Sequence, residues 1–120
     1  MDLLKKKCVP CEGGVKPLSH EEIEGFMGQV SGWNLSEDKS PNLQKFGMGA
    51  EISKEYKFKD FIGAVNFVNN IAEIAESEGH HPDIKISYNK VTLTLSTHAI
   101  GGLSENDFIL AAKIDANRIT

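Results

Sequence analysis

Cysteine is scarce in this chain: two of the 120 residues, Cys8 and Cys11, form a single C-x-x-C motif. A zinc site built from such motifs usually needs a second pair of ligands, and the sequence has no second pair of cysteines. A redox motif of this spacing is expected where a strand meets a helix, whereas this one lies among turn formers in the segment CVPCEGGVKPL. We therefore predict an inert pair of surface thiols, with a metal site shared between subunits as the alternative.

Basic charge and long apolar runs are lacking as well. The net charge is −4 and no Lys/Arg cluster offsets it, so we expect no nucleic-acid partner. No apolar run approaches the roughly 20 residues that span a bilayer, so we expect no membrane insertion. Residues 5–7 are lysines, but no apolar segment of a secretory signal follows them, and a cytoplasmic location is expected.

What remains is an ordinary globular composition, with 40% hydrophobic and 25% charged residues. A chain of this length can bury one core. Residues 1–18 contain turn-forming residues and show no helical or strand periodicity of apolar side chains, and we predict an extended N-terminal arm there. Residues 19–120 are predicted to form a single domain.

Three helix starts are visible as capping residues. Ser19 and Glu22 have the spacing of a capping box, and the apolar residues that follow them recur at helical intervals on one face. Asp60 is predicted to cap a long helix that ends before Gly79, and Ser104 to cap the last helix. Together these signals predict three helices.

The long helix carries two adjacent apolar stripes. The first consists of Phe61, Val65, Val68, Ala72 and Ala75, and the second of Ala64, Phe67, Ile71 and Ile74. One stripe suffices to cover a sheet, so the broad face predicts a homo-oligomer. We assign the second stripe, represented by Ile71, to the contact with the partner subunit.

A β-hairpin follows the long helix, since residues 84–88 and 91–95 alternate apolar and polar side chains. Asn89-Lys90 is the predicted two-residue loop, because asparagine tolerates positive φ. A loop at this position sets the register of the hairpin: Tyr88 pairs with Val91, and the six apolar residues of the two strands lie on one face. Carried further, this register sets His81 opposite His98.

The predicted elements define the fold class. Two further strands are expected around Trp33–Leu35 and Ile52–Phe58, which gives the order α-β-β-α-β-β-α. Adjacent strands joined by short turns form antiparallel sheets. We therefore predict an α+β fold, a four-stranded antiparallel sheet with helices packed on one face.

The candidate chemistry lies in three histidines that the register brings together: His80, His81 and His98. Histidine titrates near neutral pH and can both give and accept protons. A solvated turn is the simpler explanation of the adjacent pair, and a metal site is a third alternative, since three histidines and a carboxylate are suitable ligands. Adjacent histidines on extended backbone point in opposite directions, which makes joint ligation awkward, so we predict a site without metal.

Two carboxylates flank the histidines. Glu76 precedes them by one helical turn and, by default, is a solvated side chain; its functional role would be to orient or charge a histidine. Asp107 is the third residue after Ser104, and the spacing alone favours a helix-capping role. Ser96 and Thr97 are most simply strand residues.

Separate blocks of this sequence resemble one known family. The blocks are E-x-x-x-H-H-P at residues 76–82, Y-N-K-V through S-T-H at residues 88–98, and G-L-S-E-x-D at residues 102–107. With the G-W-N and F-K-D-F segments upstream, they resemble the pterin-4a-carbinolamine dehydratase family.

The resemblance covers about residues 19 to 115, most of the chain. The sequence departs from the family in the N-terminal arm with Cys8 and Cys11, and in a longer segment between Trp33 and Ile52. Neither departure touches the histidine blocks.

The resemblance implies a reaction. Members of the family remove water from 4a-hydroxytetrahydropterin to give the quinonoid dihydropterin, with no metal or organic cofactor. The reaction recycles the pterin used by aromatic amino acid hydroxylases. The expected partner is therefore a small-molecule pterin, and the expected assembly is a homodimer or homotetramer.

The resemblance also implies roles for single residues. His80, His81 and His98 match the family's active-site histidines, and Glu76 and Asp107 match its acidic residues. We assign His80 and His98 to proton transfer, His81 mainly to binding, and Glu76 to holding a histidine tautomer. The predicted substrate-binding residues are Gly79, Ser96, Thr97 and Asp107.

A non-catalytic interaction module is the alternative function. Some animal members of the family also bind the dimerisation helices of a transcription factor. The broad apolar face on residues 61–75 favours such helix-mediated binding, whereas the three histidines argue against a purely binding role.

Overall fold

The structure is a computed structural model, and it describes residues 18–36, 50–97 and 102–116. The elements follow in the order α1 (His20–Met27), β1 (Asn34–Ser36), β2 (Glu51–Lys57), α2 (Phe61–Glu78), β3 (Asp83–Ser87), β4 (Lys90–Leu95) and α3 (Glu105–Ala116). None of the helices described is long and apolar enough to cross a membrane.

The strands form one antiparallel sheet in the order β1-β2-β4-β3. Along β4 the buried residues alternate with more exposed ones, and the buried residues of β2 are Ile52 and Tyr56, four positions apart on one face. The buried residues of both strands pack with apolar residues of the helices. This is the half-buried pattern of a sheet covered on one face. The predicted α+β fold and element order are confirmed.

The helix ends follow the capping signals of the sequence. The Ser19 hydroxyl accepts a hydrogen bond from the Glu22 N–H, and the Glu22 carboxylate accepts one from the Ser19 N–H. The Asp60 carboxylate accepts from the Gly63 N–H at 2.8 Å. Gly79 ends α2 in the left-handed conformation, with φ 66°. The predicted capping box at Ser19, the Asp60 cap and the Gly79 stop are therefore confirmed.

The assignment of the two stripes on α2 is wrong. Ile71 is 1% exposed and packs in the core with Ala64 and Phe67, so the second stripe faces the sheet. The large apolar residues of α2 that are exposed are Phe61 and Ile62, at its N-terminal end. The helical periodicity of the sequence reveals two apolar stripes on this helix, but it does not show which of them the sheet covers.

The predicted register of the hairpin is also wrong, by two residues. The structure pairs Ile86 with Val91 and Ile84 with Leu93, so the loop residues are Tyr88 and Asn89. Asn89 is bound to Phe58, just beyond β2: the Phe58 N–H donates to the Asn89 carbonyl, and the Asn89 side-chain amide donates to the Phe58 carbonyl. The pairing of β4 with β2 therefore fixes the end of the hairpin.

The predicted N-terminal arm lies almost wholly outside the described residues, and so do Cys8 and Cys11. Its last residue, Leu18, is described, and the Leu18 N–H donates to the Leu103 carbonyl at 2.8 Å. The chain therefore enters the domain beside the segment that leads into α3.

Candidate active site

Three chain segments meet at one end of the sheet: the end of α2, the end of β4 and the start of α3. Gly79 turns the chain out of α2 with a positive φ, a conformation that glycine adopts without a Cβ clash. The His80 N–H still donates to the Ala75 carbonyl. The first residue beyond the helix is therefore held close to the helix end.

His80 is paired with a buried carboxylate. Its Nε2 lies 2.6 Å from Asp107 Oδ1, and the two side chains are 13% and 0% exposed. Residues that are 27 apart in sequence are thereby joined, one beyond the C-terminal end of α2 and one in the first turn of α3.

Asp107 is also the hydrogen-bond centre of the surrounding loop. Its Oδ2 accepts from the Thr97 hydroxyl at 2.8 Å and from the Ser104 N–H at 2.9 Å. The Thr97 and Ser104 hydroxyls lie 2.8 Å apart. The bond to the Ser104 N–H closes the first turn of α3, so the capping role expected from the spacing is confirmed.

These contacts favour one tautomer of His80. Both groups at Oδ2 donate, and the N-terminus of a helix favours negative charge, so Asp107 is suited to accept a hydrogen bond from His80 at Oδ1. His80 then donates from Nε2, which leaves Nδ1 as the ring atom able to accept a proton. An ionised partner also stabilises the ring when it is doubly protonated.

His81 has a different carboxylate partner and a different environment. Its Nε2 lies 2.9 Å from Glu76 Oε1, with side chains 60% and 79% exposed. The expected contact of Glu76 with a histidine is therefore present, and the histidine is His81. An exposed pair of this kind is weak because water competes for both groups.

The other predicted substrate-binding residues occupy two kinds of position. Thr97 is buried beside Asp107, and Gly79 is the turn between α2 and His80. Ser96 is half-buried and lies between the buried Leu95 and Thr97, which places it on the opposite face by strand alternation. Their roles in substrate binding stay predictions.

His98 lies outside the described residues. The predicted pairing of His81 with His98 rested on the hairpin register that the structure corrects. In the observed register the ladder ends with Asp83 opposite Thr94, and its continuation would set His81 against Ser96. The role of His98 in the site stays a prediction.

No cluster of three or more His, Cys, Asp or Glu side chains that could hold a metal ion occurs among residues 18–36, 50–97 and 102–116. His98 and both cysteines lie outside these ranges. The absence of a metal from the site therefore stays an expectation.

One polar cluster was not predicted from the sequence. Asp115 on α3 accepts hydrogen bonds from the Trp33 ring N–H, the Lys54 ammonium and the Tyr56 hydroxyl, at 2.9, 2.9 and 2.6 Å. Trp33 lies in the core, and the partner of its ring N–H is 82 residues away in the sequence. This cluster joins α3 to β2 and to the start of β1.

Comparison with known proteins identifies the family. A family model described as pterin 4 alpha carbinolamine dehydratase matches residues 16–117. A curated relative from Nitrosospira multiformis is 50% identical over 114 residues, which cover 95% of this chain and 90% of the relative. A second, from Halorhodospira halophila, is 45% identical over 116 residues, or 97% of each chain. Both carry a provisional name as a pterin-4-alpha-carbinolamine dehydratase.

A solved structure agrees with these relatives. The crystal structure of a transcriptional coactivator/pterin dehydratase from Brucella melitensis superposes with a TM-score of 0.68 and 32% sequence identity, and covers 83% of this chain and 96% of that one. The sequence matches extend over nearly the whole chain, and the solved structure has the same fold. The chain therefore belongs to the pterin-4-alpha-carbinolamine dehydratase family.

Proposed function

We propose that this protein removes water from 4a-hydroxytetrahydropterin to give the quinonoid dihydropterin, and so recycles pterin for aromatic amino acid hydroxylases. The observation that carries the proposal is the contact of His80 Nε2 with the buried Asp107, which leaves one ring nitrogen available for proton transfer. Family membership supplies the substrate class.

The chemistry needs one acid and one base. The bond between C4a and the hydroxyl oxygen breaks, and the oxygen leaves as water after receiving a proton. The N5 lone pair forms the C4a=N5 bond, and the N5 proton passes to a base. General acid and base groups accelerate such steps by roughly 10²–10⁴.

In the proposed mechanism His80 is one proton-transfer group and His98 is the other. Asp107 accepts a hydrogen bond from the Nε2–H of His80, which leaves Nδ1 for the substrate and stabilises the ring when it carries a second proton. His81, in its exposed pair with Glu76, contributes to binding of the polar edge of the pterin. No metal or organic cofactor takes part.

A direct assay tests the proposal. The 4a-hydroxytetrahydropterin is generated freshly by a hydroxylase, and formation of the quinonoid product is followed by absorbance with and without the protein. We expect acceleration by the wild-type protein and little by His80→Ala. A rate equal to the unaided reaction in the presence of folded wild-type protein would refute the proposal.

A homo-oligomer is part of the proposal. Phe61 and Ile62 on α2 are 49% and 65% exposed, and Ile84, Ile86 and Tyr88 of the hairpin are exposed as well. Covering such residues is favourable by about 25 cal/mol per Å² of apolar surface. We expect a dimer or tetramer by light scattering, and a smaller species for Ile62→Asp; a monomeric wild-type protein at micromolar concentration would contradict this.

A non-catalytic interaction module is the second candidate. The same exposed apolar residues favour it, and the Brucella melitensis protein is described as a transcriptional coactivator as well as a pterin dehydratase. The dehydration assay separates the two candidates, since a pure binding module would not accelerate the reaction. We expect the protein to act in the cytoplasm in either case.

A further inference from the structure

The segment from Glu78 to His80 is tied to α3 at both of its ends. Lys113 Nζ lies 2.7 Å from Glu78 Oε2, and the two side chains are 18% and 7% exposed. His80 is bound to Asp107, and both partners, Lys113 and Asp107, lie on α3. Two anchors on one helix therefore hold a segment of three residues.

The spacing of the anchors matches the length of the segment. From Asp107 to Lys113 the axis of α3 advances about 9 Å, at about 1.5 Å per residue. The chain from Glu78 to His80 reaches at most about 7 Å between Cα atoms, and the side chains cover the remainder. The segment therefore runs along α3 in the opposite direction to it.

Gly79 is the link between the two anchors, and backbone hydrogen bonds fix it to the end of α2. It has φ 66°, its N–H donates to the Glu76 carbonyl, and the His80 N–H donates to the Ala75 carbonyl. His80 therefore follows the last turn of α2. The position of His80 relative to Asp107 then depends on how the end of α2 is held against α3, and Glu78 is the residue of that last turn that is paired with α3.

We infer that Glu78 and Lys113 are positioning residues for His80: their ion pair fixes the end of α2 against α3 and so sets the orientation of the His80 ring toward Asp107. The inference rests on the proposed function for its effect on catalysis. It adds two residues that the histidine motifs do not specify: Glu78 is an unspecified position of the E-x-x-x-H-H-P block, and Lys113 lies beyond all the blocks. Its effect on the ring itself can be measured without any substrate.

The chain supplies a matched control on the same helix. Lys54 Nζ lies 2.9 Å from Asp115 Oδ1, with side chains 17% and 25% exposed. Asp115 is two residues beyond Lys113 and about 200° around the helix, so this pair joins α3 to β2 on the other side. Removing Lys54 breaks an ion pair of similar burial on the same turn of α3 and leaves Glu78 untouched.

The kinetic experiment compares Lys113→Met, Lys113→Arg and Lys54→Met with the full-length wild-type protein. We expect Lys113→Met to lower kcat about tenfold with little change in KM, as for other residues that orient a catalytic group. Lys113→Arg should retain most of the wild-type kcat because it keeps the charge. The kcat of Lys54→Met should stay within about twofold of the wild-type value. Equal losses in Lys113→Met and Lys54→Met would overturn the inference, since general destabilisation would then explain both.

A spectroscopic experiment separates this inference from the proposed function. The ring nitrogens of His80, assigned by comparison with His80→Ala, report the tautomer through their ¹⁵N chemical shifts. We expect one tautomer with the proton on Nε2 in the wild type and in Lys54→Met, and averaged shifts in Lys113→Met. Unchanged His80 shifts in folded Lys113→Met would overturn the inference, whether or not the protein is a dehydratase.

A second variant covers the case in which Lys113→Met does not fold. The double substitution Glu78→Gln, Lys113→Gln removes both charges and retains a polar contact of similar size. We expect the same averaging of the His80 ring signals, because a neutral pair holds the segment less firmly. A single Nε2-protonated tautomer in this variant would overturn the inference.

Discussion

His80 and His81 are neighbours in the chain, and each has a carboxylate within hydrogen-bond distance, but their surroundings differ. The buried pair, His80–Asp107, is 13% and 0% exposed, and the exposed pair, His81–Glu76, is 60% and 79% exposed. The N–O distances are 2.6 and 2.9 Å. The effect of the contact depends on burial: in the interior it holds the ring in one orientation, whereas at the surface water competes with it.

The largest effect is expected when the buried pair loses its histidine together with the second proposed proton-transfer group. His80→Ala and His98→Ala should each lower turnover, and the double variant should fall by about 10³-fold, because neither acid nor base then remains. Steady-state kinetics measures this, with circular dichroism as the folding control. Full activity in the double variant would remove the acid–base assignment.

The two carboxylates give the next largest contrast. Asp107→Asn should lower kcat by 10- to 100-fold, as expected when the group that orients a proton-transferring histidine is lost. Glu76→Gln should change kcat by less than about fivefold, because an exposed pair contributes about 1 kcal/mol at most. Similar losses in the two variants would show that burial does not distinguish the pairs.

A smaller effect, of a different kind, is expected for the exposed histidine. His81→Ala should raise KM about tenfold and leave kcat nearly unchanged, since it removes binding that the ground state and the transition state share. The measurement is a full substrate titration beside wild type. A lower kcat with an unchanged KM would move His81 into the proton-transfer step.

The last comparison concerns stability, where the smallest effect of all is expected at the exposed pair. Glu76→Gln should change the free energy of unfolding in urea by less than about 1 kcal/mol. Asp107→Ala should lower it by about 3 kcal/mol, because Thr97, Ser104 and His80 all lose a buried partner. If Asp107→Ala were as stable as wild type, the network around Asp107 would have no structural role.

Most of the fold could be predicted from local signals. The residues that begin and end the helices act over three or four positions, so Ser19, Asp60 and Gly79 could be identified directly from the sequence. The choice of stripe on α2 could not, because Ile71 and Phe61 are equally apolar. Which of them is buried depends on how the helix docks on the sheet.

The candidate site could be predicted in part. The residue types and the capping position of Asp107 were evident, but its contact with His80 joins two segments 27 residues apart and has no local signal. The contacts of Glu78 with Lys113 and of Lys54 with Asp115 are of the same kind. Contacts between side chains so far apart in sequence depend on how α3 packs against the other elements. No periodicity in the sequence indicates that packing.

The observed register of β3 and β4 and a register shifted by two residues would place the same side chains on the same face, and this bears on the order in which the chain folds. The observed register puts Tyr88 at φ 51°, a conformation that costs a non-glycine residue about 1–2 kcal/mol. The two bonds between Phe58 and Asn89, 31 residues apart, are the contacts that favour it. A hairpin that forms before β2 docks has no such contact and can adopt either register. We therefore expect the hairpin to form early and to reach its final register only when β2 joins the sheet, so that this long-range pairing limits the folding rate.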